Sequence, residues 1–424
     1  MHRRPRATGL SLLLVAMALA VDAGAQAFDH VKLPDGPRFT VAAAQDVMRR
    51  GHPLVAATRA DAQAAAADAL AAGLWTNPTV DAGYQRGATH DSGDVVGASS
   101  LGVTQFLETA GAPRARERSA RRTEQAVVAQ GKGTVQTLAF DVETACVAMV
   151  AAATRVAVLQ ASLEDLSRAD RIVQNRVKEG AAPKYDATRM SVAFSQARSA
   201  LVEAEAGVIT ARGDLEAAVG PQAAQLQGLP DLDLFAPPTL PALAPLLDGL
   251  PRTRPDVVAA QQRALAAEDL VQVARRAVLP GFGLRLGGAY GASPGEFDVV
   301  LGVTVALPVV DRGQGTIAAS LARAESAQMG AEAVRVQASQ RVASAWTLAL
   351  RRREALQQFT QTGTTDVRGM QTEAEAGYRA GRLSVFELVD AITSARDARL
   401  RWVDLAEAAR QAEVTTRRLI EAGP

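Results

Sequence analysis

The chain has 424 residues, with 46 Lys and Arg against 45 Asp and Glu and a formal net charge of +1. Nothing in that balance points to nucleic acid or to a polybasic membrane surface. Apolar residues make up 48% and aromatics only 4%, which suits close-packed, alanine-rich helices better than a bulky globular core, and the single cysteine, Cys146, excludes an intrachain disulfide.

Taken in chain order, the first predicted element is a leader. Arg3, Arg4 and Arg6 precede an apolar run over residues 10–21 that is too short to span a bilayer. Small residues follow at Ala25 and Ala27, so residues 1–27 read as a secretory signal peptide cut near Ala27. No cysteine follows the cut, which excludes a lipid anchor there. No later run reaches ~18 apolar residues, so no transmembrane helix is expected. The mature chain is expected to be exported by a bacterium. Entry into an outer membrane would fall to β-strands, whose sequence signal is weaker.

Residues 28–40 are polar and read as extended. A short helix over 41–50 ends at Gly51-His52-Pro53, and an alanine-rich helix over 54–75 ends before Asn77-Pro78. Residues 79–85 alternate, with Val80, Ala82 and Tyr84 on one face and Asp81, Gly83 and Gln85 on the other, the period of a strand. A turn-rich loop over 87–93 leads to a second strand over 95–107, whose alternation is weaker. A long helix then runs from Pro113, in its first turn, to about Lys178. Within it Val135, Leu138, Val142, Ala145, Met149, Ala152, Val156, Leu159, Leu163 and Leu166 are spaced by alternating steps of three and four. That is a seam of period 3.5, which argues for a supercoiled helix packed on another. A helix of ~65 residues is roughly 100 Å long, against a usual length of ~11–12 residues. Gly180-Ala181-Ala182-Pro183 breaks it. A second long helix over 185–219 stops at Gly220-Pro221, and residues 221–253, rich in proline and leucine, read as an irregular connector.

After the connector the order begins again. Arg254-Pro255 opens a helix that Leu279-Pro280 ends. Residues 282–290 and 299–307 alternate around a turn at Ser293-Pro294-Gly295. Asp311-Arg312-Gly313-Gln314-Gly315 leads into a long helix over about 316–378, Gly381 breaks it, and a last helix covers 385–420. Leu101-Gly102-Val103-Thr104 returns as Leu301-Gly302-Val303-Thr304, Gly180 corresponds to Gly381, and Asp186 to Glu387. The chain therefore reads as an internal repeat of roughly 200 residues, residues 28–220 and 254–424 on either side of the connector. The expected fold class is mainly α, with long antiparallel helical hairpins and a small β contribution of four strands.

Four strands with one apolar face fit a tilted crossing of an outer membrane, but about eight are needed to close a barrel. Unpaired strand edges in lipid would cost several kcal/mol per group. Closure then requires oligomerisation, and three copies would supply about twelve strands. Asp81, Gln85, Arg285 and Asp298 fall on the polar faces of their strands and would line the lumen. The alternative is a four-stranded sheet in a soluble protein. A rod of ~100 Å likewise needs neighbours along its length; a ring of such helices continuing the barrel makes a tunnel.

The residues that carry a family resemblance are Asn77-Pro78-Thr79, Gln105-Phe106-Leu107 with Gly111 and Arg114, Leu307-Pro308-Val309 with the Asp311–Gly315 segment, and Glu375-Ala376-Gly377-Tyr378-Arg379-Ala380-Gly381-Arg382-Leu383-Ser384. Their order, with the repeat, resembles the outer-membrane efflux proteins, the TolC-like family, over the whole mature chain. The segment from Pro308 to Gly315 is most similar to the branch serving heavy-metal exporters of the RND class. The resemblance implies a homotrimer with a β-barrel in outer-membrane lipid, an α-helical tunnel through the periplasm and an equatorial domain formed by the connector. It also implies docking on an inner-membrane RND-type transporter through a periplasmic adaptor. By the same resemblance Asp186, Tyr378, Glu387 and Asp390 belong to a periplasmic constriction, and Gly180, Gly381, Arg382, Leu383 and Ser384 to the tip that meets the adaptor. Tyr378 and Asp186 match a pair that ties neighbouring helices when the tip is closed. The family's frequent partner arginine is out of register: Leu383 falls at its place and Arg382 one position earlier.

The residues themselves allow a plainer account. Asp186, Glu387 and Asp390 each lie in the first turns after a break, where a carboxylate favours the positive helix end by ~0.3–1 kcal/mol, and a lone Tyr378 is more often a packed aromatic. A threefold ring of carboxylates would instead favour cations. The four histidines, His2, His30, His52 and His90, are scattered, so neither a metal site nor a cofactor is expected. No nucleophile–base pair is visible, so the chain does not read as an enzyme. Cys146 reads as a small residue beside the seam. Two other functions share the pattern: the exit duct of a type I protein secretion system, and a soluble periplasmic coiled-coil scaffold.

Overall fold

The computed structural model describes residues 33, 35–88, 95–108, 111–235, 240–291, 297–362 and 367–420. The expected signal peptide and the turn at Ser293-Pro294-Gly295 lie outside the described residues, as does most of the loop expected at 87–93. The element order is β1 (Arg38–Phe39), α1 (Val41–Gly51), α2 (Pro53–Ala72), β2 (Thr79–Ala88), β3 (Val95–Leu107), α3 (Ala112–Lys178), α4 (Lys184–Val219), β4 (Leu229–Pro230), α5 (Leu243–Thr253), α6 (Pro255–Ala277), β5 (Phe282–Tyr290), β6 (Phe297–Val305), α7 (Gln314–Thr362), α8 (Val367–Arg379) and α9 (Val385–Ile420). The fold is mainly helical, and α3 alone has 67 residues.

The helix expected over 316–378 is described in two stretches, α7 and α8, with residues 363–366 outside the described set. One expectation needs correction. The connector is not irregular throughout, because it contains α5, a short helical turn at Ala223–Gln225, and β4, which pairs in parallel with β1. Pro245 misled the reading of α5. It stands in the first turn, where a missing N–H costs nothing. Two-residue strands have no period to detect.

The chain forms two compact units. One comprises the described residues up to Val55, then Val135–Gly249 and the described residues from Ser339 onward. Its core falls into three clusters along the helices. Leu138, Val142, Ala145, Cys146, Met149 and Ala152 of α3 pack with Ala44, Val47 and Met48 of α1 and Ala211, Leu215 and Val219 of α4. Phe140, Val147, Val150, Ala151 and Val158, on another face of α3, pack with Leu234, Leu356 and the α9 residues Trp402, Val403, Ala406 and Ala409. Leu166, Ala169 and Val173 pack with Met190, Ala193 and Ala197 of α4, Ala374 and Tyr378 of α8, and Leu388 and Ile392 of α9. The 3.5-residue seam is thus real, but it marks only one of two buried faces. For that reason α3 contains an 18-residue window apolar enough to cross a membrane, 78% of it buried inside the fold. Cys146 is buried, and burial pushes its thiol up to about 12, which leaves it an inert apolar side chain.

The other unit comprises Ala56–Thr134 and Leu250–Ala338. Its helices pack through alanine: Ala115, Ala126 and Ala129 of α3 and Ala264, Ala266 and Ala274 of α6 are buried. The small side chains let backbones come close enough for the Ser119 hydroxyl of α3 to donate to the Ala266 carbonyl of α6 at 3.0 Å. This unit also carries the four-stranded sheet, in the order β2-β3-β5-β6, with every neighbour antiparallel.

Candidate functional site

Two places concentrate chemistry: the sheet in one unit and the turns that join the helical hairpins in the other. In the sheet the register sorts side chains onto two faces. Asp81 stands opposite Gly102, Gln85 opposite Ala98, Arg285 opposite Thr104 and Gly302, and Asp298 opposite Ala289. Residues opposite one another point to the same side, so Asp81, Gln85, Arg285 and Asp298 share one face with Gly83, Ser100, Gly287 and Thr304. Arg285 reaches across β3 and forms an ion pair with Asp81. Gln85 and Asp298 are on that face but outside this pair.

The opposite face carries Val80, Tyr84, Leu101, Val103, Leu284, Leu286, Val299, Leu301 and Val303, all exposed, with Leu301 at 77%. Tyr84, Tyr290 and Phe297 fall in one row across it, because Tyr84 pairs with Ser99, Ser99 with Tyr290, and Tyr290 with Phe297. A second row pairs Leu107, Phe282 and Val305. Phe282 and Tyr290 are eight residues apart on β5, which is ~26 Å at the ~3.3 Å rise of a strand. An apolar band of ~25 Å edged by aromatics is the dimension of a bilayer-facing barrel wall. The outer edges of β2 and β6 pair with no other strand among the described residues.

At the hairpin turns the local geometry repeats. Gly180 has φ +72° and Gly381 φ +67°, left-handed values that glycine adopts without the Cβ penalty. Gly180 N–H donates to Val177 O at 3.1 Å and Ala181 N–H to Arg176 O at 2.8 Å; Gly381 N–H donates to Tyr378 O at 3.0 Å and Arg382 N–H to Gly377 O at 2.9 Å. Both are Schellman caps, so each turn reverses the chain with its last carbonyls satisfied. Gly180, Gly381, Arg382 and Ser384 are exposed, whereas Leu383 is half-buried and packs beside Gly377.

The candidate constriction residues separate by partner. The Tyr378 ring is buried and its hydroxyl donates to Asp186 Oδ2 at 2.8 Å. Burial, then the bond to Asp186, pushes the Tyr378 phenol up to about 12, so it remains a donor at any physiological pH. Glu387 is occupied differently. It completes a capping box with Ser384, accepting the Ser384 N–H at 2.7 Å and the Ser384 hydroxyl at 2.8 Å, while Glu387 N–H donates to Ser384 Oγ at 3.3 Å. Those donors hold its carboxyl below the usual glutamate range. Asp390 is exposed and, among the described residues, its carboxylate accepts no hydrogen bond. Neither Glu387 nor Asp390 bonds to Asp186 or Tyr378.

The sequence reading missed Arg176. Its guanidinium lies over the Tyr378 ring, 4.8 Å from the centroid, donates through Nη1 to the Tyr378 carbonyl and through Nη2 to the Ala181 carbonyl at 3.0 Å. Arg176, Asp186, Tyr378, Gly381 and Phe386 line one cavity of 310 Å³. Arg189 stacks on Phe386 beside it, 4.8 Å from the ring centroid. Nothing nearer than Tyr378 itself signals Arg176, which sits 202 residues away in the chain. Among the described residues, no group of three His, Cys, Asp or Glu side chains converges as metal ligands would.

Comparison with known proteins agrees with this geometry. The chain is 27% identical over 317 residues to the cobalt-zinc-cadmium resistance protein CzcC of Cupriavidus metallidurans, covering 74% of this chain and 75% of that protein. It is 26% identical over 333 residues to the nickel-cobalt-cadmium resistance protein NccC of Alcaligenes xylosoxydans xylosoxydans, covering 78% of this chain and 72% of that protein. In fold it resembles the outer membrane protein VceC of Vibrio cholerae, with a TM-score of 0.76 at 17% identity over 90% of this chain and 96% of the other. The model of the outer membrane efflux protein family matches residues 45–221 and 246–421. The chain belongs to the outer membrane efflux proteins, a family of channels of the outer membrane.

Proposed function

We propose that this chain is the outer-membrane duct of a tripartite efflux system, a passive conduit for cations expelled by an inner-membrane RND-type transporter and passed on through a periplasmic adaptor. Three copies supply about twelve strands and close one barrel. Its wall turns the Tyr84, Leu101, Leu301 and Val303 face to lipid and the Asp81, Gln85, Arg285 and Asp298 face to the lumen. The hairpins of α3 with α4 and of α8 with α9 form the tunnel through the periplasm, and the Gly180 and Gly381 turns form the tip that meets the adaptor.

The observation that carries the proposal is the one-sided sheet whose two outer edges pair with no other strand among the described residues. In lipid each unpaired edge group would cost several kcal/mol, so β2 and β6 must find partners, and the next copies' β6 and β2 are the partners that close a ring. The duplicated plan is supported by the family match in two stretches and by the identical caps at Gly180 and Gly381. Divalent metal ions are the proposed cargo because both curated relatives are named for resistance to cobalt and cadmium, with zinc or nickel.

The conduit needs little chemistry of its own. A ring of tip carboxylates repeated by threefold symmetry would draw cations toward the opening and repel anions. The test has two arms. Membrane fractionation should place an SDS-resistant trimer in the outer membrane, and the purified trimer should form pores in planar bilayers. A water-soluble monomer without pores refutes the conduit and leaves the coiled-coil scaffold. Deletion should sensitise cells to divalent cobalt, zinc, cadmium or nickel; loss of a secreted protein with unchanged metal tolerance would instead make it a type I secretion duct.

A further inference from the structure

Arg176 stands two residues before the end of α3, where a cation ordinarily offsets the negative end of its own helix. Here one side chain serves two helix ends. Nη2 binds the Ala181 carbonyl in the first hairpin turn, Nη1 binds the Tyr378 carbonyl at the end of α8, and the guanidinium plane covers the Tyr378 ring. The same Tyr378 closes the circuit through its hydroxyl to Asp186 in the first turn of α4.

We propose that Arg176 is the positioning residue of the closed tip: it clamps the two hairpin turns of one protomer together and fixes the Tyr378 ring where its hydroxyl meets Asp186. The inference rests on the reading of the tip as the closing end of the duct. It places the closing cation on the first hairpin, rather than on the second at Arg382, whose position is exposed. The clamp depends on the planar fork of arginine, because two carbonyls in different turns must be met while the charge stays over a ring. Opening the tip then requires the two hairpins of each protomer to part, with the carbonyl bonds and the ring contact released together.

The test uses purified full-length trimers in planar bilayers, with wild type, Arg176→Ala, Arg176→Lys, Tyr378→Phe and the Arg176→Ala/Tyr378→Phe double variant. Each charge-assisted hydrogen bond lost should shift the closed-to-open ratio by roughly ten-fold toward open. Arg176→Lys should fall between wild type and Arg176→Ala, since an ammonium keeps the charge but not the fork. The double variant should gain less than the sum of the two single variants, because Arg176 acts through Tyr378. A merely structural role would alter trimer yield and melting without this ordering. An unchanged ratio in Arg176→Ala trimers overturns the proposal, as does strict additivity with Tyr378→Phe. Should Arg176→Ala not assemble, Arg176→Lys decides, and an unchanged ratio there overturns the proposal. Absence of pores from wild-type trimers overturns the conduit reading and this proposal together; wild-type pores with insensitive Arg176 variants overturn this proposal alone.

Discussion

Glu413 of α9 offers the sharpest measurement of the helical core. The side chain is fully buried, and neither of its carboxylate oxygens accepts a hydrogen bond among the described residues. Its nearest cation is Arg410, 3.8 Å away, and Arg353 and Arg417 also act on it. Burial outweighs these cations and pushes the carboxyl from 4.5 up to about 7. A rise of about 2.5 in pKa, at about 1.36 kcal/mol each, is roughly 3 kcal/mol. The sign follows from linkage. The folded-state pKa is raised, so this contribution is fully present below about 4.5, where the unfolded chain is also protonated, and is lost as pH rises through about 7. Glu413→Gln keeps the volume and abolishes the titration. The attraction of Arg410 acts only while Glu413 is ionised and is already contained in the carboxyl's value of about 7, so it adds no separate contribution to the difference. At ~2.1 cal/mol/K per residue, a chain of 424 residues has an unfolding entropy of ~0.9 kcal/mol/K. The melting temperature of Glu413→Gln relative to wild type should therefore climb by about 3–4 °C between pH 4.5 and pH 8. Differential scanning of the detergent-solubilised protein measures it. A constant difference across that range would show that Glu413 is ionised throughout and refute the reasoning.

Three further outcomes follow. Tyr378→Phe deletes the donor to Asp186, a charge-assisted bond worth ~1.5–3 kcal/mol, and cells expressing it at wild-type level should become more susceptible to large antibiotics; unaltered susceptibility would contradict a gating role. Ser384→Ala removes the cap oxygen of α9 and should cost about 1 kcal/mol, read as a lower melting temperature with trimers intact; an unchanged melt would mean the box carries no stability. Gly381→Glu forces a side chain into φ +67° and places a charge on the exposed turn, so trimers should still assemble while efflux is lost, and normal metal efflux by that variant would count against docking at the tip.

What the sequence disclosed was local. The period-two alternation of Val80, Ala82 and Tyr84, and of Val299, Leu301 and Val303, gave strands whose faces the register bears out. The glycines at 180 and 381 gave the helix breaks, because few other residues accept that backbone. The period-3.5 seam located one packing face of α3 but hid the second, since Phe140, Val147, Ala151 and Val158 follow a similar spacing on another side. A periodic pattern cannot say how many neighbours a helix has. What stayed hidden was long-range. Nothing local sets Arg176 apart from any basic residue in the last turn of a helix, and only the fold brings it to Tyr378. Nothing local sets Glu413 apart from the other acids of α9, and its burial depends on where α9 lies in the core. The parallel pair of β1 and β4 spans the whole first half of the chain with two residues on each side.

The acids proposed for the tip divide by what already occupies them, and that division makes a prediction. Asp186 accepts the Tyr378 hydroxyl and Glu387 accepts two donors from Ser384, so both carboxylates have part of their acceptor capacity committed. The Asp390 carboxylate is exposed and accepts nothing among the described residues. A cation attracted to the tip can claim the oxygens of Asp390 without displacing a donor, whereas at Glu387 it must compete with the cap that starts α9. Divalent ions that block single channels from the tip side should therefore lose more affinity in Asp390→Asn than in Glu387→Gln, while Glu387→Gln should weaken α9 more than Asp390→Asn does. Titration of the block in planar bilayers, alongside melting of the same trimers, reads both halves. A larger loss of block in Glu387→Gln would show that the carboxylate leaves its capping box in the assembled tip, and the ordering derived from the hydrogen bonds would be wrong.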